Sequence, residues 1–205
     1  MAWLKWLREL QSIAQIGLAY TKDPYDAERY EQLQKLTAVI SAEQTAGASD
    51  EIANLFAQEK GYATPKIDVR GAVFRDNQIL LVREIADGGR WTLPGGWADV
   101  GDSPKTAVTR EVYEESGFET EVVKLIAMLD RDQHPHPKMF THTYKMFFLC
   151  QIVGGEATPS METAEVAFFS HNEIPTDLSI SRTLPQQIDL CFKHHNEPAL
   201  QPVID

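Results

Sequence analysis

Cysteine is scarce in this chain of 205 residues: there are two, Cys150 and Cys191. Neither belongs to a Cys-x-x-Cys pair. No disulfide framework or thiolate metal knuckle is therefore implied, and a reducing cytoplasm suits both thiols. Cys150 lies in the apolar run KMFFLCQIV and reads as a buried small hydrophobe. Positive charge is also short. Lys and Arg number 19 against 30 Asp and Glu, for a net charge of −11. A surface so negative repels a nucleic-acid backbone, which argues against a polymer-binding role. A small anionic substrate is still admissible, because a divalent cation can mask its charge. Long uncharged apolar runs are missing as well. The N-terminal MAWLKWLRELQSIAQIGLAY is broken by Lys5, Arg8 and Glu9, which excludes a signal or a membrane span and leaves an amphipathic helix. There is no internal repeat and no low-complexity tract.

What is present is apolar substance. Hydrophobic residues make up 43% of the chain, enough for a packed core. The length fits one ordinary domain with a smaller appendage, or two small domains. Residues 1–62 read as wholly helical. A first helix covers Ala2 to Tyr20, a second begins near Asp26 and runs through ERYEQLQKLTAVISAEQ, and a third starts after Ser49 and ends at Gly61. From Lys66 the texture changes. KIDVRGAVF and QILLVREI are β-rich runs joined by a hairpin turn at RDN. A short strand over Trp91 to Leu93 precedes a helix from Pro104 to Ser116. ETEVVKLIAMLDRD and HTYKMFFLCQIV are further strands, GGEATPSMETAE is a turn-rich connector, VAFFS a short strand, and Ser181 to His194 a last helix. Strands mixed with two helices imply an α+β or α/β sandwich.

The segment LPGGWADVGDSPKTAVTREVYEESGF concentrates the chemistry. Asp102 and Ser103 are natural N-caps for its helix, Pro104 suits the first turn, and Gly117 is a natural stop. Glu111, Glu114 and Glu115 stand at i, i+3 and i+4 and share one face, while Ala107, Val108 and Val112 turn to the sheet. An isolated acidic face reads as solvated. Here Arg110 and the preceding Gly95-Gly96 turn favour another reading. Clustered carboxylates with a free backbone carbonyl make a hard oxygen cage of the type that Mg²⁺ or Mn²⁺ prefers. Glycine lets the backbone bend a carbonyl towards it, and Arg110 can hold a carboxylate through forked hydrogen bonds.

The segment resembles the Nudix box, G-x5-E-x7-R-E-U-x-E-E-x-G-U, where U is bulky and apolar. Counted from Gly96, every defined position matches at its spacing except Asp102, where the pattern has Glu. The resemblance implies an α/β/α Nudix sandwich carrying a small all-helical N-terminal domain, with domains at 1–62 and 63–205. It implies divalent-metal-dependent hydrolysis of a diphosphate within a nucleoside diphosphate joined to another moiety. Glu111, Glu114, Glu115 and the Gly96 carbonyl would be metal ligands, with Glu114, Glu115 and Arg110 in the catalytic machinery. Asp102 keeps the charge with a shorter reach, which bears on efficiency more than on reaction type.

Many members of the family take a further acid from a loop outside the box. Glu162, six residues before Phe168, is placed for that role, with Glu165 as the runner-up. The loop DRDQHPHPKMFTHTYK holds His134, His136 and His142, but Pro135 and Pro137 forbid helical zinc spacing. It reads as a substrate-facing loop, with Phe140 or Tyr144 near a base or ribose. Trp97 either stacks on substrate or packs in the core. The helical N-terminus with GLAYTKDPYDAERYEQL, IDVRGAVF and WTLPGGWADVG is similar to bacterial Nudix hydrolases of the ADP-ribose pyrophosphatase type, and to a CDP-choline pyrophosphatase-like branch. A non-catalytic Nudix ligand-binding or regulatory protein is the alternative, and the complete carboxylate trio favours the enzyme. In the first helix Trp3, Leu4, Trp6, Leu7, Leu10, Ile13, Ala14, Ile16, Gly17, Leu18 and Tyr20 spread over more than half the wheel. A helix packed on one core needs a stripe of only about 100°, so a second surface is implied, either another helix of the same region or a second subunit, and a homodimer is expected.

Overall fold

The computed structural model describes residues 2–45, 54 and 56–205. The chain divides into two compact units, residues 1–65 with 139–142, and residues 66–138 with 143–205. In the first unit α1 (Ala2–Tyr20) and α2 (Pro24–Thr45) are the long elements. Leu4, Leu7, Gln11 and Ala14 recur at helical spacing and form the buried stripe of α1. Asp23 caps α2, its Oδ1 accepting from the amides of Tyr25 and Asp26 at 2.8 and 3.1 Å. That cap, with Pro24 in the first helical position, starts α2 two residues ahead of the expected Asp26. A Cβ on Gly17 would lie 2.4 Å from the Tyr30 ring, so the close approach of the two helices needs glycine there. Helical backbone is also present at Asn54 and over 56–58, whereas the expected helix start at Ser49 lies outside the described residues. Residues 139–142 join this unit. Arg8 donates through Nε to the Phe140 carbonyl at 2.6 Å and through Nη2 to that of Met139, and the Phe140 ring centroid lies 4.8 Å from that of Phe56.

The second unit is a seven-stranded mixed sheet with a helix packed on each face, the sandwich expected from the sequence. Its strands are β1 (Lys66–Arg75), β2 (Gln78–Glu84), β3 (Arg90–Thr92), β4 (Phe118–Asp130), β5 (Thr143–Gly155), β6 (Thr163–Phe169) and β7 (Val203–Ile204). They run in the order β3-β2-β1-β5-β4-β7, with β6 paired to β2. The helices are α3 (Pro104–Ser116) and α4 (Pro185–Asn196). Period-two alternation along the strands feeds two core layers. Val69, Val73, Leu80, Phe148 and Cys150 pack with Ala107, Val108 and Val112 of α3. Ala72, Ile79, Leu81, Phe147 and Leu149 pack with Ile188, Cys191 and Phe192 of α4. Full burial of a valine such as Val108 or Val112 contributes about 1.5–3 kcal/mol, so the first of these layers anchors α3 firmly. Both cysteines are free and buried, and burial pushes the Cys150 thiol up to about 12.

One irregularity of the sheet prepares the site. The β1–β2 hairpin turns at Asp76 and Asn77, both at positive φ, as a two-residue I′ turn requires. Cα register between the two strands is confined to Phe74↔Ile79 and Arg75↔Gln78. Beyond that point the edge of β1 is taken by the segment 94–98: Gly71 N donates to the Pro94 carbonyl at 2.9 Å, Val69 N to that of Gly96 at 2.8 Å, and Ala98 N to that of Ile67 at 3.0 Å. On its other edge β1 runs parallel to β5, with Asp68 opposite Lys145.

Three elements differ from expectation. The last helix starts at Pro185 and not at Ser181, because the amides of Arg182 and Thr183 both turn back to the Ser179 carbonyl at 2.8 Å. β6 begins at Thr163, so Glu165 stands on a strand and not in the connector. β7 is held by parallel pairing of Val203 with Ala127 of β4, which nothing local in its two residues announces. No helix among the described residues is long and apolar enough to cross a membrane.

Candidate active site

The acidic helix α3 is built by local rules. Ser103 Oγ accepts from the Thr106 amide at 3.1 Å, Pro104 opens the helix, and Gly117 closes it at φ 76° with its amide on the Tyr113 carbonyl. Ser103, and not Asp102, is therefore the cap. Burial of Ala107, Val108 and Val112 fixes the roll of the helix, which in turn decides where the acids go. They do not share one environment. Glu114 is 55% exposed at its side chain, whereas Glu115 is only 5% exposed.

The turn from Leu93 to Trp97 meets that helix. Gly95 has φ 140°, and a Cβ there would stand 2.0 Å from the Val69 carbonyl oxygen, so only glycine lets the turn lie on β1. Its amide donates to Glu115 Oε2 at 2.8 Å. At Gly96 a Cβ would stand 2.7 Å from Glu111 Oε2, so the missing side chain leaves a cradle that the Glu111 carboxylate enters. The Gly96 carbonyl, expected to face a metal, accepts from Val69 N and keeps one lone pair in hand.

Arg110 gathers the acids. Its Nη1 lies 2.9 Å from both Glu111 Oε1 and Glu114 Oε2, its Nε donates to Asp102 Oδ2 at 3.1 Å, and Nη2 is 3.2 Å from Asp99 Oδ2. Asp102 thus supports the arginine. Burial pushes the Glu111 carboxyl up, and Arg110 opposes it. Burial pushes Glu115 further, to about 8, with Glu111 and Glu84 adding to the rise and Arg70 and the Gly95 amide resisting it.

The donor chemistry fits a hard divalent cation: carboxylates at i, i+3 and i+4 beside a glycine cradle, two of them already brought onto one cationic nitrogen. As they stand the three do not close into a cage. Among the described residues no three acidic, histidine or cysteine side chains are drawn together closely enough to hold an ion. The reason is visible in the bonds. Glu111 and Glu114 turn to Arg110, and Glu115 turns to Gly95.

Other expected residues fall as follows. Glu162 is exposed just before β6, its carbonyl accepting from Ile85 N at 2.9 Å; next to it Thr163 Oγ1 donates to the Glu115 carbonyl at 2.6 Å. The loop therefore ends against the base of α3. Glu165 is exposed and pairs with Arg83 at 3.1 Å. Trp97 is 48% exposed beside the glycine turn and is not a core residue. Tyr144 is half-buried on β5 between Ile67 and Asp130. Phe140 belongs to the helical unit, against Phe56. His136 is buried between the Ile180 carbonyl at 2.7 Å and Gln187 at 3.0 Å, and His134 lies 2.9 Å from Asp205.

Sequence reasoning passed over a buried ion cluster behind the turn. Asp68, Arg70 and Lys145 are each at most 6% exposed. Arg70 donates to Asp68 in a fork at 3.0 and 2.7 Å and to the Leu93 carbonyl at 3.1 Å, and Lys145 Nζ reaches Asp68 at 2.5 Å. Burial pushes the Asp68 carboxyl up, but the two cations outweigh it and hold it at about 2. The signal was available in part: Asp68 and Arg70 sit two apart in a strand, on one face, with opposite charge.

A glycine turn laid against a capped acidic helix, on a sheet covered by helices on both faces, defines a class, and the chain belongs to the Nudix family of pyrophosphohydrolases. The family model described as "NUDIX domain" matches residues 65–187, and one described as "UDP-X-like, N-terminal oligomerisation domain" matches residues 1–56. Among its relatives is "Putative ADP-ribose pyrophosphatase YjhB" of Bacillus subtilis, 44% identical over 99% of this chain and 97% of that protein. A crystal structure of a UDP-X diphosphatase is similar over 100% of this chain and 98% of its own, at 32% identity and a TM-score of 0.64. An ADP-ribose pyrophosphatase from Streptococcus suis is similar over 69% of this chain and 100% of its own, at 37% identity and a TM-score of 0.63.

Proposed function

We propose that the chain hydrolyses the diphosphate bond of a nucleoside diphosphate joined to a second group, in a reaction that depends on a divalent cation. The observation that carries this reading is the meeting of Glu111 and Glu114 on one Arg110 nitrogen beside the Gly96 cradle. Glu111, Glu114 and Glu115 would hold Mg²⁺, with Mn²⁺ as a substitute. When bound, the ion would neutralise the diphosphate and lower the pKa of the attacking water. Arg110 orients Glu111 and Glu114 until then, and Asp102 keeps Arg110 in place. Glu162 accepts the proton of the water as its oxygen bonds to phosphorus. The bridging P–O bond breaks, and the products are a nucleoside monophosphate and the phosphorylated second group. Trp97, exposed beside the turn, stacks on the base.

The names of the relatives point to ADP-ribose and UDP-linked substrates. CDP-choline, implied by the resemblance in the sequence, is the third candidate. A panel of the three with Mg²⁺ or Mn²⁺, products resolved by chromatography, tests the reading. Turnover is expected with at least one, to be abolished by a chelator and lowered at least about 100-fold in Glu114→Gln. Full turnover in chelator, or in that variant, would sink the cation site.

The helical unit is proposed to join two copies of the chain. Trp6, Ile13 and Tyr20 of α1 are exposed at seven-residue spacing, and the description of the matching N-terminal family model supports the same assignment. The two free thiols support a reducing compartment such as the cytoplasm.

A further inference from the structure

We infer that Arg70 is the positioning residue of this acidic site: clamped by Asp68, which Lys145 holds from β5, it sets the height of the glycine turn and so the place of Glu115. The inference rests on the cation-site reading for its functional meaning and on geometry for its content.

Three supports hang the turn from β1. The Leu93 carbonyl takes a bond from Arg70 Nη1, the Pro94 carbonyl from Gly71 N, and the Gly96 carbonyl from Val69 N. Of these three only the first comes from a side chain. Gly95, between the supports, lies on the backbone of Arg70 itself, where a Cβ would come within 2.9 Å of Arg70 Cα. Its amide then has one direction left, towards Glu115 Oε2. A shift of the Arg70 guanidinium therefore moves Leu93, and with Leu93 the amide that holds Glu115.

The surrounding chemistry is that of a device and not of a stabilising contact. The cluster holds two cations and one carboxylate out of water, on a strand face that continues in Ala72 and Phe147. Burying such a group is unfavourable unless its bonds are fully made, and apolar residues would serve packing better. Arginine suits the task because its planar fork fixes two bonds to Asp68 while a third nitrogen reaches Leu93. Lysine could keep the charge but not this geometry. Lys145 holds Asp68 from the neighbouring strand, so the clamp is set by β1–β5 register.

The substitution Arg70→Lys keeps the charge and removes the fork, which separates placing from simple electrostatics. Two readouts on the full-length protein follow it, without substrate. Mn²⁺ alone, titrated by electron paramagnetic resonance, is expected to bind about 10–100-fold more weakly. Hydrogen exchange at the Gly95 amide, measured by NMR without any metal, is expected to quicken by about tenfold. Glu114→Gln serves as the contrast: it weakens Mn²⁺ binding and leaves Gly95 exchange unchanged. Should Arg70→Lys not fold, Asp68→Asn, which halves the fork within the same side-chain shape, must produce the same two shifts. Wild-type Mn²⁺ affinity and wild-type Gly95 protection in a folded variant would overturn the inference. If the wild-type chain takes up no Mn²⁺, the cation-site reading fails, and Gly95 exchange alone decides whether Arg70 positions the turn.

Discussion

Glu115 carries a conflict between its burial and its charge. Burial and nearby acids raise its carboxyl to about 8, against about 4.5 in an unfolded chain. Between those values the folded protein keeps a proton that the unfolded chain has lost. Stability from this group is thus fully present below about pH 4.5 and is lost as pH rises towards 8. Glu115→Gln, neutral throughout, is expected to melt at least about 3 °C higher than wild type at pH 8 without metal, and near wild type at pH 5. Calorimetry at the two pH values reads this directly, and an equal offset at both would refute it. Asp102 poses a different question. It holds Arg110 Nε and does not cap α3, so its charge matters more than its length. Asp102→Glu is expected to turn over substrate at least as fast as wild type. A loss above about tenfold would reveal a role for the shorter side chain.

Along α3, both ends and the buried face are set by short-range chemistry. Ser103 satisfies one of the free amides of the first turn, and Ser103→Ala removes that bond. A loss of about 1 kcal/mol is expected, a fall in Tm of about 2–4 °C, with Ser103→Asp restoring most of it. The loss should appear in stability and leave turnover within about twofold, because Val108 and Val112 still hold the helix against the sheet. A large fall in turnover at unchanged Tm would mean that the cap also shapes Asp102 and its hold on Arg110.

At the scale of the folded chain α1 presents two faces. One, Leu4, Leu7 and Ala14, is buried; the other, Trp6, Ile13 and Tyr20, is open to solvent. An aromatic and aliphatic stripe repeated every seven residues is the pattern by which one helix meets another. Light scattering of the full-length chain at micromolar concentration is expected to give twice the monomer mass, and Ile13→Asp to halve it while circular dichroism keeps its helical content. A monomeric wild-type chain would reject this seam, as would an Ile13→Asp variant that stays dimeric.

Local order reads well from the amino-acid sequence. The bounds of α3, Pro104 to Ser116, follow from a proline, a cap and a stop within a few residues of each other, and those interactions are contained in the chain segment itself. The same holds for α1 and for the hairpin at Asp76 and Asn77. The spacing of Gly96, Arg110 and the three glutamates was enough to name the family. What only the tertiary structure decided is how those groups differ. Helical periodicity puts Glu111, Glu114 and Glu115 on one face, but the segment 94–98 closing on β1 buries Glu115 and leaves Glu114 in water. Lys145 meets Asp68 across 77 residues of chain, through the parallel register of β1 and β5. β7 exists only through β4, and the turn at Ser179 shortened the last helix. Dihedral preference and periodicity are properties of neighbours in sequence. Desolvation and charge depend on neighbours in space, and those are chosen by strand pairing over long separations.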